Sequence, residues 1–320
     1  MELNDAPQQT GAPEQTRPLQ AVVRRVDFGG IALLGEDGHE FIAIARGKLM
    51  GKKKSLGNAV VVGDRVTLAW EGERAMVEAV APRRCAFSRR ASGERPLEQV
   101  VAADVDQVVV VASLRRPDFK PGLVDRVFVQ AAYAGIPAVL ALNKTDLGEE
   151  AEASEILADY AAAGITGYAM CAMTGRGVDV LEATTRGKRS LFVGHSGVGK
   201  STLMARLAPG HELLQGEVNE TTGKGRHTTT AALLLRLGQG TELIDTPGVR
   251  AFGLWGVDGS TLEEYYPEWQ HLLGHCRFGD CRHDREPGCA LHGALERGEI
   301  HERRFASFQK LRAELEGERT

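Results

Sequence analysis

A chain of 320 residues with 42% apolar and 26% charged side chains has a globular composition and is long enough for two or three cores. No stretch approaches the roughly 18 uninterrupted apolar residues of a membrane span, and the acidic opening through Thr16 lacks the basic and apolar regions of a signal peptide. Five unevenly spaced cysteines form no secreted disulfide framework, so a cytoplasmic protein that meets no membrane is expected.

Along the chain, residues 1–16 read as a disordered tail. Short β-rich runs follow at 20–26, 31–34, 40–45, 59–62, 65–70 and 75–80, separated by Gly-Gly, Asp-Gly and Gly-Asp turn signals. This spacing predicts a small antiparallel barrel over residues 17–85, of the OB-fold kind, with a Gly-rich basic loop at 46–54. The net charge of −4 is unevenly spread: residues 17–95 carry 15 Lys+Arg against 9 Asp+Glu, while residues 96–320 carry a net of −7. A basic barrel on an acidic body suits a polyanionic partner; a solvated charged surface accounts for the same count.

A basic linker (Arg83, Arg84, Arg89, Arg90) then leads into alternating strand and helix, predicted as an α/β domain over 86–258. The apolar run 105–112 reads as a buried parallel strand, and Pro121 opens a helix through Tyr133. A strand at 136–142 delivers Asn143-Lys144-Thr145-Asp146 at its carboxyl end. A helix at 149–163, a strand at 167–172 and a short helix precede a strand at 190–193. That strand feeds Gly194-His195-Ser196-Gly197-Val198-Gly199-Lys200-Ser201-Thr202 and a helix over 200–207. Two strands, 231–237 and 242–244, end at Asp245-Thr-Pro-Gly248. A Cys- and His-rich segment, 259–320, closes with a charged helix near 299–315.

The 194–201 motif fits G-x-x-x-x-G-K-[ST], whose backbone N–H groups and helix N-terminus wrap nucleotide phosphates. Lys200 is expected at the β- and γ-phosphates and Ser201 on Mg²⁺. Asp146 can accept two hydrogen bonds from the N1–H and N2–H₂ edge of guanine, an edge adenine does not offer. Asp245 would hold Mg²⁺ through water, with Gly248 sensing the γ-phosphate. Cys171-Ala172 lies where a loop donates a backbone N–H to guanine O6, although Cys171 equally suits a core position. The loop Gly223-Lys-Gly-Arg-His-Thr-Thr-Thr230 suits a switch in which Thr229 or Thr228 closes on Mg²⁺. Val249 cannot orient water, which makes His227 the candidate helper; a loop histidine is also at home in solvent. The base reader precedes the phosphate loop here, the reverse of the ordinary order, so a circularly permuted GTP-binding domain is predicted.

Cys276, Cys281, His283 and Cys289 supply the Cys₃His set of a closed structural zinc site, with His275 and His292 as alternative ligands and Cys85 as a structural thiol. Arg303, Arg304, Lys310 and Arg312 alternate with Phe305, Phe308 and Leu311 in the terminal helix. A solvated basic face is expected there, with RNA contact the alternative. Two other readings stay open at this level: a P-loop kinase, and an RNA-binding module in which nucleotide only sets conformation.

Taken together, these residues closely resemble the RsgA (YjeQ) family of ribosome small-subunit-dependent GTPases. The likeness spans residues 19–315 and includes the permuted order, Gly225-Arg-His-Thr-Thr-Thr230, Tyr266-Pro-Glu-Trp269, Glu286-Pro-Gly-Cys289, Gly298-Glu-Ile300 and Val61-Val-Gly-Asp-Arg-Val66. Cys171 stands where Ser is usual, His195 where Gln is common and Trp269 where Phe is common. The resemblance implies an OB-fold, a permuted GTPase domain and a zinc domain, with one zinc ion per chain and Mg²⁺ with GTP. It further implies hydrolysis stimulated by the small ribosomal subunit, binding to its rRNA, and a role late in subunit maturation. A monomer is expected.

Overall fold

The computed structural model describes residues 19–27, 30–49, 58–91, 97–211, 213, 232–248 and 252–317. The first five strands are β1 (Gln20–Asp27), β2 (Gly30–Leu34), β3 (Glu40–Ala45), β4 (Arg65–Glu71) and β5 (Arg74–Val80). They close into a barrel in the order β1-β2-β3-β5-β4, with β3 and β5 parallel and the other pairs antiparallel. Alternation along each strand turns Val23, Ile31, Leu33, Ala43, Val66, Leu68, Ala75 and Val77 inward, which is the barrel's own core.

Residues 59–62 do not form the predicted strand. Val60, Val61 and Val62 are buried, but Asp64 folds the segment into a turn by accepting the Val61 N–H at 2.8 Å. The Val62 carbonyl accepts the Ala103 N–H at 2.9 Å. This apolar run plugs the gap between the barrel and the next hairpin instead of extending a ladder. The basic linker is likewise structured, as the antiparallel pair β6 (Ala86–Arg90) and β7 (Glu98–Ala103). Its approach is tied down by ion pairs, since Arg83 binds the buried Asp64 carboxylate through two nitrogens at 2.7 and 2.9 Å.

The remaining strands are β8 (Gln107–Ser113), β9 (Ala138–Asn143), β10 (Gly167–Ala169), β11 (Arg189–Gly194), β12 (Leu233–Arg236) and β13 (Glu242–Asp245). They make one sheet in the order β10-β9-β8-β11-β13-β12, parallel throughout except that β12 runs antiparallel to β13. The helices are α1 (Pro121–Tyr133), α2 (Glu150–Ala162), α3 (Val178–Thr185), α4 (Lys200–Leu207), α5 (Ala290–Glu296) and α6 (Glu302–Gly317). Pro121 presets the first turn of α1. Gly135, at φ +66°, ends it with the Gly135 N–H on Ala132 O and the Ile136 N–H on Ala131 O, the hydrogen-bond pair of a Schellman cap.

β8 is buried along its whole length, and its alternation sorts two cores. Val108, Val110 and Ala112 face one layer with Val124, Val127 and Phe128 of α1, Ile156 and Tyr160 of α2, and Phe305 and Phe308 of α6. Val109 and Val111 face the other, with Leu181 of α3 and Leu203, Met204 and Leu207 of α4. The C-terminal segment thus buries its aromatics in the same core as the sheet. No helix among the described residues is long and apolar enough to cross a membrane.

Candidate nucleotide site and metal centre

Parallel strands deliver their loops to one end, and the two separated motifs meet there because β9 and β11 flank β8. Asn143, buried at the end of β9, donates from Nδ2 to Val198 O at 2.9 Å and accepts the Ala172 N–H on Oδ1 at 2.8 Å. One side chain therefore ties the candidate base-reading segment to both the candidate phosphate loop and the 171–173 loop. Lys144, with φ +58°, donates from Nζ to Gly197 O at 2.6 Å and also to Arg116 O. Gly199 sits at φ +90°, where an added Cβ would come 2.4 Å from Asn143 Nδ2, so this packing needs glycine twice over. Thr145 is buried with its hydroxyl donating to Met170 O at 3.0 Å, and Arg176 donates to that hydroxyl at 2.9 Å.

Asp146, unlike the buried Asn143 and Thr145, is exposed. The buried Cys171 thiol donates to its carboxylate and holds that group below the usual carboxylate range. Cys171 is thus both a core residue and a partner of the candidate base reader. The Ala172 N–H, expected at guanine O6, instead faces Asn143 Oδ1. The reason is local: a buried amide oxygen lies within reach and takes the nearest donor.

In the phosphate loop Lys200 is buried and its Nζ pairs with the fully buried carboxylate of Asp245. Asp245 Oδ2 has no hydrogen-bond partner among the described residues. Thr246 fastens the loop after β13 by donating to Phe192 O at 2.7 Å, and Gly248 lies so close to Ser196 that a Cβ would be 3.0 Å from its Cα. Ser201 is exposed at the start of α4 and Thr202 half-buried beside it. His195 is half-buried, with Nδ1 2.6 Å from Ser196 O. Thr228, Thr229, His227 and Val249 lie outside the described residues.

The four metal-ligand candidates also converge. Cys276, Cys281, His283 and Cys289 place their donor atoms within 4.8 Å of one another, with His283 Nδ1 3.5, 3.6 and 3.3 Å from the three sulfurs in that order. Tetrahedral coordination with bonds of about 2.0–2.3 Å gives ligand–ligand edges of about 3.5–3.8 Å, so the cluster fits a closed site. The other imidazole nitrogen, Nε2, lies 3.3 Å from Glu263 Oε2, a carboxylate placed to orient the ring. Burial pushes the Cys281 thiol up to about 12 and raises Cys289 as well, so a cation is needed to keep these sulfurs ionised together. His292 is turned away onto Asp284 O and Phe305, and His275 is outside the cluster.

The terminal helix departs from the expected solvated basic face. Arg303 pairs with Glu155 at 3.0 Å and with Asp159, Arg312 lies 3.5 Å from Glu263, and Arg304 is buried between Asp125 and Glu268. Its charge faces acidic groups of α1, α2 and the segment before the metal cluster. These partners lie up to 179 residues away, beyond the reach of any local pattern.

A largely parallel sheet with the G-x-x-x-x-G-K-[ST] loop after β11, and the Asn143–Asp146 segment earlier in the chain after β9, has the motif order of a circularly permuted GTPase. The RsgA GTPase family profile matches residues 80–255. A protein from Gemmatimonas aurantiaca called small ribosomal subunit biogenesis GTPase RsgA is 40% identical over 286 residues, 88% of this chain and 92% of that relative. The protein of the same name from Azotobacter vinelandii is 43% identical over 263 residues, 80% of this chain and 75% of its own. The crystal structure of YjeQ from Thermotoga maritima superposes with a TM-score of 0.74 at 28% identity, covering 93% of this chain and 98% of that one. YloQ, a circularly permuted GTPase, shares the fold with a TM-score of 0.68 at 23% identity, over 96% of this chain and 98% of its own. The chain belongs to the RsgA GTPase family and is a GTP-hydrolysing enzyme.

Proposed function

We propose that this chain is a cytoplasmic, monomeric GTPase of late small-subunit maturation, which binds the subunit's rRNA and is stimulated by the subunit to hydrolyse GTP to GDP and phosphate. The convergence at Asn143 carries the nucleotide part. The buried Asn143 amide ties its own segment to the phosphate loop, 55 residues on, and to the 171–173 loop, which supports one nucleotide site built from separated segments. The names of the relatives support the ribosomal part.

In this reading the N–H groups of Ser196 through Thr202 hold the phosphates, Lys200 neutralises charge at the β–γ bridge, and Asp146 reads the guanine edge. Ser201 and Thr229 would hold Mg²⁺, with Asp245 engaging it through water. The partnerless Asp245 Oδ2 supports that assignment. When bound, Mg²⁺ supplies charge neutralisation of the β- and γ-oxygens. His227 is proposed to orient the attacking water, because Val249 offers no polar group for that task. Zinc would be held by Cys276, Cys281, His283 and Cys289 as a structural ion.

Slow intrinsic hydrolysis leaves room for an external helper. Small subunits are expected to raise GTP turnover about a hundredfold over the protein alone, comparable with supplying one general acid–base group. Large subunits and naked rRNA should do markedly less, and stimulation should weaken as salt rises, since phosphate contacts release counterions. Equal turnover with and without small subunits would reject the ribosomal part.

The zinc assignment has its own check. Elemental analysis should return one zinc per chain, and chelation should lower the thermal midpoint by several degrees while releasing thiols that react with a chromogenic disulfide. A chain that holds no metal yet unfolds at the same temperature would remove the ion.

A further inference from the structure

Arg206 of α4 takes no part in the nucleotide assignments above, yet its guanidinium reaches the 171–175 loop. Nε donates to Ala172 O and Nη2 to Met173 O. Gly175, at φ +92°, leaves room for that group: a Cβ there would lie 3.1 Å from Arg206 Nη1. The same loop is held from the other side by the Asn143 carbonyl on the Ala172 N–H. Met173 is 72% exposed, and its N–H has no partner among the described residues.

The peptide unit explains what this grip accomplishes. Ala172 C=O and Met173 N–H belong to one planar trans unit, so they point in opposite directions. A guanidinium that holds the carbonyl toward α4 aims the Met173 N–H away from it. The second bond, to Met173 O, fixes the next peptide plane and leaves the first no freedom to flip. Cys171, one residue earlier, touches Asp146, so this donor stands beside the candidate base reader.

We propose that Arg206 is a positioning residue for base recognition, and that it aims the Met173 N–H at the 6-oxo group of the bound purine. The proposal rests on the assignment of Asp146 to the guanine edge. It differs from that assignment in the atom concerned: Asp146 reads N1–H and the 2-amino group, whereas the loop held by Arg206 reads O6.

Nucleotides altered at one feature each separate the two. Binding of GDP, inosine diphosphate (no 2-amino group) and 6-thioguanosine diphosphate (N1–H and 2-amino group kept, the 6-oxo oxygen replaced by a poorly accepting sulfur) is measured on the full chain by calorimetry. Arg206→Ala is expected to weaken GDP and inosine diphosphate by about tenfold, the worth of one hydrogen bond, and to leave the 6-thio nucleotide, whose sulfur accepts poorly, within about twofold. Arg206→Lys, with one compact ammonium in place of the fork, should fall between. Asp146→Ala, which removes the partner of both N1–H and the 2-amino group, should weaken GDP and the 6-thio nucleotide about tenfold more than inosine diphosphate, which offers N1–H alone. An equal loss of all three ligands in Arg206→Ala, or no loss of any, overturns the role of Arg206. Asp146→Ala binding all three as the parent does overturns the base site itself.

Discussion

Replacing Lys200 by Ala is expected to lower GTP turnover at saturating nucleotide by about two to three orders of magnitude, the usual cost of removing one fixed donor from developing negative charge. Burial makes the effect large. Lys200 is 7% exposed, and its ammonium is paired with a carboxylate that is fully buried. Without nucleotide, Asp245 holds the lysine side chain in place; incoming phosphates compete for the same ammonium. The alanine variant loses that charge and also leaves Asp245 buried with neither oxygen satisfied, which costs about 3–5 kcal/mol of stability. Single-turnover hydrolysis and chemical denaturation therefore both need measuring. Lys200→Met combined with Asp245→Asn should recover much of the stability and none of the turnover. Hydrolysis by Lys200→Ala within about tenfold of the parent would place the developing charge elsewhere.

How far residues alone foretell this molecule depends on where each partner lies. The α1 and α4 boundaries follow from Pro121 and from the glycine–lysine motif, signals carried within a few residues, and both helices match the expected spans. The strand at Glu40–Ala45 matches for the same reason, a short run between turn residues. The run at 59–62 has the same β-branched composition, yet it is a plug. Its ladder partners are replaced by the nearby Asp64 carboxylate and by the Ala103 N–H, and the second of these lies outside any window centred on Val61. The hairpin β6–β7 was hidden by its arginines, which resemble a linker until Arg83 finds Asp64 and Arg84 finds Asp106.

The candidate site divides along the same line. The residue types of Asn143, Asp146, Lys200 and the four metal-ligand candidates announce their chemistry; the structure joins Asn143 to the 194–201 loop and gathers the four metal-ligand donors. Arg206 announces nothing, because an arginine on the exposed side of a helix usually serves solubility. Only its reach to two carbonyls of another loop gives it meaning. A glycine with positive φ three residues after the base-loop Ala172, at Gly175, was the one available hint that something bulky packs there. Glu263, behind His283, is of the same kind. It has the right chemistry for orienting a ligand imidazole, but it lies 20 residues before it, in a run of acids that also fits a solvated turn.

An equally large stability loss is expected at Arg304. Its guanidinium donates to Glu268 Oε1 at 2.8 Å and to Asp125, with its carbon 5.1 Å from the Tyr160 ring centre and 4.8 Å from that of Tyr266. Burial alone would lower its pKa, but the two carboxylates outweigh that and leave the group firmly charged. Asp125 belongs to α1 and also accepts the Tyr160 hydroxyl of α2 at 2.8 Å, so one cation joins the terminal helix to two helices of the nucleotide domain. Arg304→Ala leaves two like charges buried and facing each other, and about 3–5 kcal/mol should be lost in denaturant titration. Arg304→Met with Asp125→Asn and Glu268→Gln removes the charges together and should recover most of it. Because these residues share a core with β8, the terminal helix and the sheet should unfold in one transition, seen alike by Trp269 fluorescence and by far-ultraviolet dichroism. Two separated transitions in the parent chain, or an Arg304→Ala midpoint equal to the parent's, would mean that this cluster does not join the domains energetically.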